Sequence, residues 1–293
     1  MENRPNAPVA SSIEGIEFET QGPARRAIKT LLVNPLANYL PAGMLRLLLH
    51  VTRSELAAAN WSDPGGWRSM VISYHDKPTQ VADKVLVGAG TMAMALRNRL
   101  KLSSRVLANL IDSCSHDDVH VLCLGAGPGH IITDAMCLAQ QHSHATLVDL
   151  SSDAFDYGRQ LAEKKGLAHR VRFVQSDVAH VGQFLDRKPD IVKMLGICEY
   201  IGDDVLVGIL KALAGEMSAG SPVIFNSLSK LHGTDRFFRR VFGLAMIHRS
   251  PERLEELFAA AGFEDFRRYA EPLNVYHVIV GRRSGGPSGG PKG

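Results

Sequence analysis

Residues 119–130 read VHVLCLGAGPGH, and they constrain the fold more than any other part of the chain. A β-branched and aliphatic run breaks into Gly125, Ala126, Gly127, Pro128 and Gly129, and an apolar segment at helical spacing follows over 131–141. The pattern predicts a strand, a glycine turn and a helix. Glycine suits such a turn because it accepts positive φ and has no Cβ, so the backbone can approach a flat ligand at the helix N-terminus. A second strand is expected over 145–148. It ends at Asp149, about 20 residues past the glycines, where nucleotide-binding folds place an acid on the ribose hydroxyls. The two units form a βαβ half-site for a nucleoside or dinucleotide.

The alternation continues with a helix over 153–165 and a strand over 171–174 that runs into Gln175, Ser176, Asp177 and Val178. An acid just past a third parallel strand can accept the amino group of an adenine lying along the strand ends. Asp177 is equally suited to cap a helix, and the two roles are compatible. A strand over 191–195, a loop over 196–200, a helix over 204–217 and a strand over 222–228 come next. Residues 234–246 carry Phe237, Phe238, Val241, Phe242 and Ala245 at helical spacing, with Arg236, Arg239 and Arg240 turned away. This predicts an amphipathic lid or surface helix. A helix over 251–261 precedes two short strand-like runs, 266–270 and 275–280, which form an antiparallel final pair.

Before the glycine turn the pattern is helical. Over 24–59 it is interrupted at Pro35 and Pro41, so short helices are expected there. Met44, Leu45, Leu48 and Leu49 mark a stripe expected to pack in the core or against another part of the chain. Arg46, His50 and Arg53 on the polar face are too few for a dense basic cluster, which weighs against a membrane surface. Residues 85–93, VLVGAGTMA, imitate a second dinucleotide turn, but no strand ending in an acid follows at the required distance. They are expected to be a small-residue helix or turn; residues 95–114 are helix-patterned throughout, with 103–113 as the helix that precedes the first strand. Residues 1–23 are expected to be a mobile arm, 24–102 a helical cap, 103–282 the nucleotide-binding domain and 283–293 a disordered tail.

A net charge of +3 exerts no strong general pull on nucleic acid. Cys114, Cys123, Cys137 and Cys198 show no CxxC spacing, and the first 20 residues lack the basic-then-apolar pattern of a signal peptide. A cytoplasmic protein with reduced thiols is expected. The longest nearly apolar window, 85–96, falls short of the ~18 residues needed to span a bilayer. His142 and His144 are too sparse for a zinc site, and His75, His130, His232 and His248 are expected to be structural.

The order GAGPG, Asp149, Asp177, a loop after the fourth strand and a reversed final pair resembles the class I S-adenosylmethionine-dependent methyltransferases over about residues 103–282. The glycine pattern is GxGxG, with His130 where a nicotinamide dehydrogenase would place its third glycine. The later segments LGICEYIGDD, SPVIFNSL and HRSPERLEELFAAAGF are similar to bacterial methyltransferases that occur alone or behind a hydrolase-like domain. The resemblance implies a doubly wound, Rossmann-like α/β fold with a seven-stranded, mostly parallel sheet, an antiparallel final strand and an N-terminal helical cap. It implies S-adenosyl-L-methionine as cofactor and S-adenosyl-L-homocysteine as product. Gly125, Ala126, Gly127, Gly129, Asp149, Leu150, Asp177, Val178 and Gly196 would hold the cofactor. Glu199 and Tyr200 would border the methyl group and position the acceptor or take its proton. One departure is plain: the family often has an acid two residues before the first glycine, and here that residue is Cys123. Because the additions to the core are helical and apolar rather than densely basic, the expected acceptor is a small, fairly apolar molecule. An RNA or protein methyltransferase, or a non-catalytic cofactor-binding partner subunit, are the alternatives.

Overall fold

The computed structural model of the chain describes residues 15–75, 77–183 and 185–285; residues 1–14 of the expected arm and 286–293 of the expected tail lie outside them. Among the described residues, seven α-helical segments precede the first strand: α1 (Pro23–Ile28), α2 (Asn34–Tyr39), α3 (Ala42–Val51), α4 (Glu55–Ser62), α5 (Trp67–Tyr74), the single turn α6 (Val81–Asp83) and α7 (Thr91–Asp112). Pro35 does not interrupt the path, because the π-helical turn Lys29–Val33 joins α1 to α2 and Pro35 falls in the first turn of α2. The wider turn absorbs the missing N–H that would break a regular helix. The break comes at Pro41, as expected. Helix α7 begins at Thr91, four residues ahead of the helical pattern at 95, and runs unbroken to Asp112. The imitation turn ahead of it is a π-helical stretch, Lys84–Gly88, with no strand beside it.

The first part of the chain is less free than its composition suggests. Arg97 of α7, 5% exposed, donates to both carboxylate oxygens of Glu19 at 2.6 and 2.7 Å. Asn98 exchanges two further bonds with the Glu19 backbone. The expected arm is therefore tied down at 17–21. The pairing was invisible in the sequence because its partners lie 78 residues apart.

Strands β1 (Val119–Leu124), β2 (Ser143–Asp149), β3 (Val171–Gln175), β4 (Ile191–Met194), β5 (Pro222–Leu228), β6 (Phe263–Ala270) and β7 (Tyr276–Arg283) form one sheet in the order β3-β2-β1-β4-β5-β7-β6. All pairings are parallel except those of β7, which runs antiparallel to both neighbours. This is the expected doubly wound fold. Helices α8 (His130–Leu138), α9 (Asp153–Lys164) and α10 (Asp203–Glu216) complete the crossovers. A short turn, α11 (Asp235–Phe237), and α12 (Pro251–Ala259) follow β5.

Both sheet faces are covered, so β1 is buried throughout rather than alternating with polar residues. Leu122 and Leu124 pack with Val192, Met194 and Phe225 under α10 and α12. Val121 and Cys123 face the opposite way, with Leu147 and Ile224 under α7 and α8. A third cluster joins Leu45 and Leu49 of α3 to Phe237, Val241 and Phe242 beyond β5, which seats the N-terminal helices beside the sheet.

Residues 234–246 do not form the expected helix. The three-residue α11 passes into a π-helical turn, Phe238–Phe242, and Gly243 at φ +75° ends it. The phenylalanine spacing selected which residues bury, but it did not require a continuous helix to bury them. Arg236 and Arg240 face the N-terminal helices: Arg236 lies over the Tyr39 ring at 4.9 Å and Arg240 donates to the Leu40 carbonyl at 3.0 Å.

Candidate active site

Strand β1 ends beside Val148 of β2, and the chain turns through Gly125, Gly127 and Gly129, all at positive φ. The Ala126 N–H donates to the Val148 carbonyl at 3.1 Å, which pins the turn to the second strand. A Cβ at Gly125 would stand 1.9 Å from Ile197 Cγ2, so only glycine lets the loop after β4 come this close. Asp149 organises the other side. Its Oδ2 accepts the Gly127 N–H at 2.7 Å and its Oδ1 accepts the Ser151 N–H at 3.0 Å. Each oxygen keeps a lone pair for a ligand hydroxyl.

These elements border a cavity of about 340 Å³. Its floor holds the glycine turn, Asp149, Leu150, Val178, Gly196 and Tyr200. Its roof comes from the N-terminal helices, with Trp67, Met70, Val71 and Tyr74 of α5. An aromatic chain ties roof to floor: Trp67 packs on Tyr157 at 5.6 Å, Tyr157 on His130 at 5.6 Å and His130 on Tyr74 at 5.3 Å. Burial pushes His130 down to about 4, so it sits there as a neutral ring.

The polarity at one end of the cavity is the reverse of what an acid at position 123 would give. Cys123 is buried, and burial pushes its thiol up to about 12, so it carries no charge. Its partner across the parallel ladder is Lys193, 3% exposed, lining the cavity, with a side chain that makes no hydrogen bond or ion pair among the described residues. Burial lowers its ammonium from the usual range. Arg99 of α7 enters from above; its guanidinium lies over the Tyr276 ring at 4.6 Å, and its Nε and Nη1 have no hydrogen-bond partner. Glu199 Oε1 stands 3.7 Å from Arg99 Nη1. Burial raises the Glu199 carboxyl, against the pull of Arg99.

The structure thus brings Gly125, Ala126, Gly127, Gly129, Asp149, Leu150, Val178, Gly196 and Tyr200 to one cavity, and leaves two expected residues outside its lining. Asp177 Oδ1 accepts the Ala179 N–H at 2.9 Å, the capping arrangement. Glu199 is buried behind Arg99. Although Tyr200 is 41% exposed as a residue, its hydroxyl lies against Gly65, and burial raises the phenol above its ordinary range. At rest it is a neutral hydroxyl. The loop around it is clamped by Arg249, whose guanidinium donates to the Cys198 and Ile201 carbonyls at 2.5 and 2.6 Å and to Asp203 at 2.8 Å.

Lys193, Arg99, Trp67, Tyr74 and Arg249 were not anticipated. Lys193 did leave a signal, a charged residue in the middle of an apolar parallel strand. Arg99 left none, since one arginine in a polar-looking helix is ordinary.

A seven-stranded sheet with only β7 reversed, a glycine turn after β1 and an acid ending β2 define the class I S-adenosylmethionine-dependent methyltransferases. Residues 121–220 match the sequence profile of a methyltransferase domain family. No curated protein matches the sequence. Solved structures share the fold at low identity. One is described as a possible exported protein from Bordetella parapertussis, with a TM-score of 0.65 at 13% identity, covering 91% of this chain and all of that one. Another is magnesium protoporphyrin IX methyltransferase from Synechocystis PCC 6803 with bound S-adenosylhomocysteine, with a TM-score of 0.55 at 14% identity, covering 87% of this chain and all of that one. A third is a putative O-methyltransferase from Nostoc punctiforme PCC 73102, with a TM-score of 0.53 at 14% identity, covering 80% and 70% of the two chains.

Proposed function

We propose that the chain transfers the sulfonium methyl of S-adenosylmethionine to a small, fairly apolar acceptor by direct in-line displacement. The observation that carries this reading is the wall of the cavity. Beyond the glycine turn it is roofed by Trp67, Met70, Val71 and Tyr74 rather than by a basic groove. The half-open, aromatic-lined space suits a molecule of modest size better than a nucleic acid strand or a folded protein.

The residues present fit the cofactor. The glycines let the backbone approach it, Asp149 would accept the ribose hydroxyls, and Leu150 and Val178 would border the adenine. Asp177 keeps Oδ2 for the adenine amino group, since its cap uses Oδ1. Lys193, together with the Arg99 guanidinium, whose Nε and Nη1 have no hydrogen-bond partner, would hold the methionyl carboxylate, a different anchor from the acid that Cys123 replaces. When bound, S-adenosylmethionine supplies an electrophilic methyl group. Gly196 would give the loop room to border it, and the Tyr200 hydroxyl would orient the acceptor for in-line attack. Glu199 acts through Arg99, as a positioning residue. The unpaired state of all four cysteines supports a reducing, cytoplasmic setting.

Incubation of the chain with methyl-labelled S-adenosylmethionine and an organic extract of cells, followed by mass spectrometry, should place label in an extractable small molecule. Label confined to RNA or protein would contradict the reading. Cofactor binding with no labelled product in any fraction would favour the non-catalytic subunit.

A further inference from the structure

The N-terminal helices are seated with their polarity inverted. From Pro23 to Tyr39, α1, the π turn and α2 contain no buried residue. Apart from Ala37, which packs on the third cluster, what fixes them to the body is polar: Lys29 donates to Thr91 Oγ1 and to the His232 carbonyl, and Asn38 donates to the Gly233 carbonyl at 2.8 Å and accepts the Phe237 N–H at 3.0 Å. The apolar side chains point outward. Leu31 is 79% exposed and Tyr39 70%, and on α3 Leu47, Leu48 and Val51 are exposed while Leu45 and Leu49 pack inward. The stripe expected to be wholly buried is therefore split between the body and the outer surface. Amphipathic helices on a soluble body turn their leucines inward, so a face with its leucines outward has a further apolar partner.

The charges identify that partner. From Gln21 to Ser54 there is no Asp or Glu, while Arg25, Arg26, Lys29, Arg46 and Arg53 are all cationic. In a two-fold pair of copies the patch would meet itself, cation against cation. A bilayer surface rich in anionic head groups complements both properties at once, with apolar side chains entering the acyl boundary and arginines at the phosphates. A cavity of about 230 Å³ opens beside the face, lined by Ile28, Val33, Leu86 and Phe238 with Arg25 and Lys29 among its walls. That combination suits an acyl chain below an anionic head group. Among the described residues no helix is long and apolar enough to cross a membrane, so the contact is with the surface. We propose that α1 to α3 form a docking face for anionic lipid bilayers, independent of the methyl-transfer reading.

Co-sedimentation of the full chain with vesicles tests this. Vesicles of phosphatidylcholine with roughly a third phosphatidylglycerol should retain the chain at least about ten-fold more strongly than phosphatidylcholine alone. High salt should erase most of the difference. Leu31→Glu with Leu48→Glu should reduce retention by about ten-fold or more, and Arg25→Gln with Arg26→Gln by about thirty-fold on anionic vesicles only. All four side chains are exposed, and unchanged melting of the variants would show that they still fold. Equal retention on both vesicle types, or on neither, would overturn the proposal. A dimer in light scattering that Leu31→Glu dissociates, with no vesicle binding, would assign the face to a second copy.

Discussion

Lys193 and Cys123 are neighbours across a parallel ladder, one a buried cation and the other a buried neutral thiol. A buried ammonium without a partner is costly, and a bound carboxylate would relieve that cost. The wild-type chain should therefore bind S-adenosylhomocysteine more tightly than its decarboxylated analogue, by ~1.5–3 kcal/mol or roughly ten- to a hundred-fold. Lys193→Met should close most of that gap, because methionine fills the same space without charge. Calorimetric titration with the two ligands reads this directly. If the wild type binds both equally, Lys193 has another role.

The glycine turn is the element that joins strand, cavity and loop, and its glycines are not equivalent. Gly125→Ala adds a left-handed strain of ~1–2 kcal/mol and pushes a methyl into Ile197, a further ~1–3 kcal/mol of overpacking. Gly127→Ala carries the strain alone, since the nearest atom, Trp67 Cβ, is 3.6 Å away. Thermal melts should show the first variant to be clearly the less stable, and equal losses would mean that Ile197 moves aside freely. This turn was legible in the sequence because strand period, glycine spacing and helix period all point to one arrangement. The resemblance built on it carried the mostly parallel seven-stranded sheet with its reversed final strand, while the strand order came only with the structure. The cations of the site were harder to read. Arg99 comes from a helix that lies in sequence before the whole sheet, and only the packing of α7 against β7 and the loop after β4 brings it to Glu199. The same holds for Glu19 with Arg97, where a contact across 78 residues leaves no local pattern. Periodicity reports which side chains bury, and it is silent on what a buried charge meets.

For the molecule as a whole, acid should be destabilising well before the carboxylates titrate. Burial holds His120, His130 and His232 each at about 4, against about 6.5 in an unfolded chain. Between those values the unfolded chain binds more protons than the folded one, so stability rises with pH. The contribution is complete above about pH 6.5 and is lost as pH falls toward 4. Glu199, raised by burial, runs the other way, but it is one group against three. The melting temperature should fall steeply across this window, and His120→Gln with His232→Asn should flatten the fall; an unchanged slope would place the acid sensitivity elsewhere. The central claim is that the cavity between the glycine turn and α5 takes S-adenosylmethionine, with Asp149 on its ribose. Calorimetric titration of the chain with S-adenosylhomocysteine and, separately, with NADH tests it most directly. The account predicts micromolar binding of S-adenosylhomocysteine, weakened roughly ten- to a hundred-fold in Asp149→Ala, and no binding of NADH. Binding of NADH, or an affinity for S-adenosylhomocysteine that Asp149→Ala leaves unchanged, would contradict it.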